Sequence, residues 1–314
     1  MTTRRDFLAA AFAATSALAL SRTVRAESAA HTGKIKAKDG TELFVRDTGG
    51  SGRAVVMTHA WPLNADVWDF QAAALSSAGF RVVTYDRRGF GRSSPTASGY
   101  GSGTYQGYDF DTFADDLADV IAQTGVRDAT LVGYSMGGGE VVRYFSRHAG
   151  RNVVKAGIVA GTAWLLAKTE SNPDGIDGAV FDGIKQGVLG DRKAYLGGLL
   201  RDVFLDAKQS ATNPVSPEMV DAMLTLAMQA SVAATAACVD AFSKTDFRSE
   251  LAAVRVPALL LHGTADMAVP FAMAKAAAAG LAQSKMIAYQ GSSHGIVLTE
   301  RERVTRDLQS FVAS

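Results

Sequence analysis

The sequence predicts an α/β protein whose sheet is mostly parallel. Three observations carry that expectation. Short apolar or β-branched runs recur along the chain and alternate with segments of helical period. The later runs are apolar almost throughout, as strands covered on both faces are. One long segment, from about Thr162 to Ser249, contains helical patterns and no strand-like run.

Taken in order, the strand candidates are "KIKAK", "ELFVRDT", "AVVMTH", "RVVTY", "ATLVGY", "KAGIVAG", "ALLLHG" and "MIAYQ", eight in all. Asp39-Gly40 separates the first two, which alternate apolar with polar residues, so they read as an antiparallel hairpin at a wet edge. The clearest helix is "DFDTFADDLADVIAQTG": Phe113, Leu117, Val120 and Ile121 share a face, Asp109 or Asp111 caps the start, and Gly125 stops it. The segment 162–249 offers "GAVFDGIKQGVLG", "AYLGGLLRDVFL" and the long run "SPEMVDAMLTLAMQASVAATAACVDAF". Helices inserted there would form a cap over one edge of the sheet, leaving 27–161 and 250–314 as the core domain.

With 314 residues, 47% of them hydrophobic, the chain can bury a large core. Its first residues join the twin arginine Arg4-Arg5 to a short alanine-rich apolar run and a small-residue end at Val24-Arg25-Ala26. That reads as a twin-arginine signal peptide over 1–26, which predicts a periplasmic or secreted protein. The run is too short for a stable membrane span. Loss of that segment, with its four arginines and one aspartate, moves the formal net charge from +1 to −2. Neither value suggests nucleic acid or an anionic membrane as partner. Cys238 is the single cysteine, so no intramolecular disulfide forms; its helical, apolar surroundings read as a buried, inert thiol.

Chemistry concentrates in "LVGYSMGGGE". A strand delivers the chain to Ser135, flanked by Gly133 and Gly137, and a helix starting near Gly138 takes it away. This is the G-x-S-x-G nucleophile elbow, in which a Cβ at either glycine would clash. A serine hydroxyl needs a base, and the base needs an orienting acid. In this architecture the order is serine, acid, histidine. Asp266 is the only carboxylate between Glu250 and Glu300, and His294 is the only histidine beyond it. All three follow the carboxyl ends of strands, where open α/β sheets bind ligands. Developing oxyanion charge requires donors; the N–H of Met136 is one, and the N–H of Trp61, in the loop "AWPLNADVW", is the other. Pro62 stiffens that loop.

With these residues in view, the chain resembles the cofactor-free (non-haem) haloperoxidases of the α/β-hydrolases, which act as esterases and perhydrolases. The likeness runs through "HAWPLNADVW", "YDRRGFGRSS", "LVGYSMGGGEVVRY", "TDFRSELAAVRVPALLLHGTADMAVP" and "GSSHG". It implies an α/β-hydrolase fold and a triad of Ser135, Asp266 and His294. It also implies Trp61 and Met136 as oxyanion donors, no cofactor and no metal. The implied substrates are short carboxylic acids or esters together with hydrogen peroxide. In the family a proline after the oxyanion-loop aromatic accompanies good perhydrolysis, and Pro62 stands there. Relatives usually carry His-Gly where this chain has His59-Ala60. An Ala60 forced to positive φ would be strained by roughly 1 kcal/mol.

A plain carboxylesterase or lactonase and a noncatalytic ligand-binding relative are the alternatives, whereas a haloalkane dehalogenase needs Asp at position 135 and is excluded by Ser135. Ion pairing within Tyr85-Asp86-Arg87-Arg88-Gly89 is expected to brace the loop after "RVVTY". Met136, Met223 and Met228 are candidates for an apolar acyl pocket or for core packing.

Overall fold

The structure is a computed structural model that describes residues 28–96, 106–206 and 215–314. The expected signal peptide lies outside the described residues, as does 207–214 of the expected cap.

An eight-stranded sheet runs through the molecule in the order β1-β2-β4-β3-β5-β6-β7-β8. Its strands are β1 (His31–Lys36), β2 (Glu42–Asp47), β3 (Ala54–Thr58), β4 (Arg81–Tyr85), β5 (Ala129–Tyr134), β6 (Val153–Val159), β7 (Ala258–Gly263) and β8 (Ser284–Tyr289). β1 and β2 pair antiparallel through the expected hairpin, and β2 joins β4 antiparallel; every later pairing is parallel. Asp39 accepts from the N–H of Thr41 in the hairpin turn, where Gly40 takes φ 89°. β3, β4, β5 and β7 are buried at every position, as their apolar composition requires. β8 departs from that expectation: it is the far edge, and most of its residues are half-buried or exposed.

The helices preceding the sheet's midpoint are α1 (Asp69–Ser77), α2 (Phe110–Thr124) and α3 (Met136–His148). α2 begins at Asp109, whose carboxylate accepts from the N–H of Thr112, and ends at Gly125 in the left-handed conformation. Between β6 and β7 lie α4 (Gly178–Leu189), α5 (Arg192–Leu199) with a π-turn over Leu200–Phe204, α6 (Pro217–Met228) and α7 (Val232–Lys244). The long run read as one helical stretch is thus two helices, bent by 99°. Ser231 breaks it by capping α7 through the N–H of Ala234. α8 (Phe271–Gly280), α9 (Ile296–Thr299) and α10 (Arg301–Ala313) complete the chain. Among the described residues no single helix is long and apolar enough to cross a membrane.

Candidate active site

Ser135 sits where β5 hands the chain to α3, at φ 54° and ψ −119°. A non-glycine residue holds such dihedrals only where its surroundings impose them. Here the N–H of Ser135 donates to Val159 O at 2.9 Å, and its carbonyl accepts from the N–H groups of Gly138 and Thr162 at 2.8 and 3.0 Å. The flanking glycines are required by close approach. A Cβ on Gly133 would lie 2.1 Å from Gly137 O, and one on Gly137 would lie 2.8 Å from Thr58 O.

The three residues chosen from the sequence meet in one hydrogen-bonded chain. His294 Nε2 stands 2.9 Å from Ser135 Oγ, and His294 Nδ1 stands 2.8 Å from Asp266 Oδ2. With its Nδ1–H donating to the carboxylate, the ring presents Nε2 as an acceptor to the serine hydroxyl. His294 is fully buried, its ring centroid 4.6 Å from that of Phe204, which meets it edge-on, and 5.6 Å from that of Tyr134.

Asp266 does not cap α8, whose N-cap is Pro270. Its Oδ1 accepts from the N–H groups of Ala268 and Val269, both at 2.8 Å. Burial pushes its pKa up, but the two imidazoles and their hydrogen bonds outweigh burial and hold it well below the usual carboxylate range. The second imidazole, His262, escaped the sequence reading. Its Nε2–H is shared between Val269 O at 2.8 Å and Asp266 Oδ2 at 3.1 Å. The signal was available: a histidine near the end of a buried strand, four residues before the acid.

Met136 is the first residue of α3, so its N–H has no carbonyl one turn back to bond. Trp61 lies in the loop after β3; the Trp61–Pro62 peptide bond is cis, and the indole N–H donates to Thr235 O at 3.0 Å. Ala60 is not among the described residues with positive φ and carries no left-handed strain.

The loop after β4 is braced by ion pairs, but not between sequence neighbours. Asp86 pairs with Arg92, Arg88 with Asp116 and Asp39, and Arg87 with Glu140 of α3. Arg87 also donates to His59 O at 2.7 Å, which ties the loop carrying Trp61 to the helix carrying Met136. Neither Glu140 nor this link was legible in the sequence.

Ser135 and His294 open into a cavity of about 550 Å³ between the sheet and α4, α5 and α7. Met136 lines it, whereas Met223 is packed in the core and Met228 is exposed. Cys238 is buried, as expected, and burial pushes its thiol far up. Among the described residues no three His, Cys, Asp or Glu side chains are grouped as metal ligands would be.

The sheet, the serine turn and the loops at the strand ends define the class, and comparison with known proteins agrees. The sequence profile of the alpha/beta hydrolase fold matches residues 53–301. The chain belongs to the α/β-hydrolase family, among its non-heme haloperoxidase and esterase/perhydrolase members, and is an enzyme. It is 38% identical to a non-heme chloroperoxidase, CPO-A1, of Kitasatospora aureofaciens, over 88% of this chain and 97% of that one. It is 36% identical to the bifunctional esterase/perhydrolase DCH of Acinetobacter calcoaceticus, over 90% of this chain and all of the other. Among solved structures, a bromoperoxidase from Bacillus anthracis superposes with a TM-score of 0.81 at 36% identity, covering 90% of this chain and 100% of that one.

Proposed function

We propose that this protein is a serine hydrolase that forms an acyl-enzyme on Ser135 and passes the acyl group to water or to hydrogen peroxide. The observation that carries the reading is the continuous hydrogen-bonded chain from Ser135 Oγ through His294 to Asp266.

In this reading Oγ bonds to the carbonyl carbon of a carboxylic ester while His294 Nε2 takes the hydroxyl proton. Asp266 keeps the imidazolium oriented and balances its charge. The N–H groups of Trp61 and Met136 bind the oxyanion. Collapse breaks the bond to the leaving oxygen, which takes the proton from Nε2 and departs as an alcohol, or as water from a free acid. Attack by water then gives the acid and frees Ser135. Attack by hydrogen peroxide gives a peracid instead. In free solution the peracid transfers its terminal oxygen to bromide or chloride: the halide is oxidised to hypohalous acid, and the peracid is reduced to the carboxylic acid. No halide site, metal or cofactor takes part. Pro62, directly after Trp61, supports the perhydrolase branch: its ring is proposed to direct the Trp61 carbonyl toward the incoming peroxide.

Peracid formation from acetate and peroxide, measured beside hydrolysis of p-nitrophenyl esters, tests this. Both activities are expected to vanish in Ser135→Ala, and Pro62→Leu is expected to lower their ratio. An unchanged ratio removes the role given to Pro62, and peracid formation that survives Ser135→Ala removes the mechanism.

The residues between β6 and β7 are assigned as a cap over this site, corresponding to 162–249. Export by the twin-arginine route is proposed from Arg4-Arg5 and the small-residue end at Ala26. Amino-terminal sequencing of the protein recovered from the periplasm tests that, with cleavage after Ala26 expected.

A further inference from the structure

The cavity at Ser135 is built for more than a short acyl group. At about 550 Å³ it has room for roughly 18 water-sized groups, taking about 30 Å³ for each. An acetyl group fills only a small part of that volume. Its walls are almost wholly apolar: Leu166, Phe181 and Phe242 are buried in it, and Phe242 stands edge-on to both Trp61 and Phe181, at 5.4 and 6.2 Å. No Asp, Glu, Lys or Arg lines it among the described residues; its polar side chains are Ser135 and His294, which bond to each other, Thr162, whose hydroxyl donates to Ser135 O, and Tyr195. Val180 on α4 and Met267, next to Asp266, also line it, yet each is 51% exposed. These two apolar side chains therefore form a rim open to solvent.

Resting on the serine-hydrolase reading above, we infer that the preferred substrates are neutral esters with a bulky hydrocarbon arm on the acyl or the alcohol side. An arm of that kind replaces water along apolar walls, each buried methylene contributing about fourfold in affinity. A carboxylate on the arm would be desolvated with no cation to meet it. Gly183 provides the handle: it lines the cavity from α4, and a Cβ built on it meets nothing within 4 Å. A leucine there fills space without displacing backbone and raises helix propensity.

The experiment compares kcat/KM for p-nitrophenyl acetate, octanoate and hemisuccinate, and for ethyl and octyl acetate, in the wild type, Gly183→Leu and Ser135→Ala. Octanoate over acetate, or octyl over ethyl acetate, is expected to gain at least about tenfold. Hemisuccinate is expected to fall at least about a hundredfold below octanoate, and Gly183→Leu is expected to cut the long-arm preference several-fold. A flat or falling response in both series, or hemisuccinate turned over like octanoate, overturns the inference while Ser135-dependent hydrolysis of acetate persists. No hydrolysis of any ester, or hydrolysis unaffected by Ser135→Ala, overturns the serine-hydrolase reading along with it. The wild-type series decides the matter even where Gly183→Leu fails to fold.

Discussion

Arg87, on the loop after β4, and Glu140, in the second turn of α3, form an ion pair in which both side chains are fully buried. Tyr85 donates its hydroxyl to Glu140 Oε2 at 2.8 Å, the Thr58 hydroxyl donates to the same oxygen, and Arg87 N donates to His59 Nε2 at 2.9 Å. The pair thereby joins the two backbone segments proposed to bind the oxyanion. Its position gives it consequences for both stability and rate.

Removing one charge leaves the other buried without a partner, which costs about 3–5 kcal/mol. Glu140→Gln is therefore expected to lower the urea midpoint strongly and to reduce kcat more than it changes KM. The double change Arg87→Met with Glu140→Leu is expected to recover most of the stability but not kcat. Recovery of both would show that the pair does nothing for the oxyanion loop.

Gly137→Ala places a methyl 2.8 Å from Thr58 O, directly on the strand end that leads into that loop. Overpacking of this kind costs about 1–3 kcal/mol. The folded variant is expected to lose at least about tenfold in kcat for ester hydrolysis. Gly178→Ala, where a Cβ meets nothing within 4 Å, is the control and is expected to melt with the wild type.

Replacing Asp266 with its amide removes the charge that balances the imidazolium while keeping the shape. Asp266→Asn is expected to lower kcat by roughly 10⁴-fold, the fall seen when the acid of a serine triad becomes an amide. A fall of less than about tenfold in steady-state assays would take Asp266 out of the mechanism.

Two buried groups withdraw stability as the pH falls. Burial, and then the charge of Arg87, hold His59 well below its ordinary pKa. Its folded pKa is thus depressed, and only the unfolded chain takes up this proton as pH drops below about 6.5. The contribution is complete above that pH and shrinks below it by about 1.4 kcal/mol per unit. Asp266, also depressed, adds a second loss below about pH 4. Asp116, whose carboxyl burial raises to about 6, works the other way below that pH. Urea unfolding at pH 7, 6 and 5 should therefore show stability lost more steeply with acid in the wild type than in His59→Gln. A slope unchanged in His59→Gln would assign that proton elsewhere.

What was legible in the sequence was what depends on local order. Strand runs announce themselves by two-residue or continuous apolar patterning, and Asp109 and Gly125 end α2 for reasons contained within α2 itself. The order of Ser135, Asp266 and His294 follows from where strands stop. What was not legible depends on partners distant in the chain. Asp86 reaches Arg92 rather than the arginines beside it because the turn at Gly91 brings Arg92 back over its carboxylate. Arg87 finds Glu140, 53 residues on, because β4 and α3 meet in the folded core. The half-exposed β8, the break at Ser231 and the outward turn of Met228 likewise depend on neighbours that no periodicity reveals.

The most direct test is intact-mass spectrometry of the enzyme quenched within milliseconds of mixing with p-nitrophenyl octanoate, followed by peptide mapping. The proposed mechanism requires an added octanoyl group on the peptide containing Ser135, absent in Ser135→Ala and discharged faster when hydrogen peroxide is present. Full turnover by Ser135→Ala, or an acyl group carried on another residue, would contradict it.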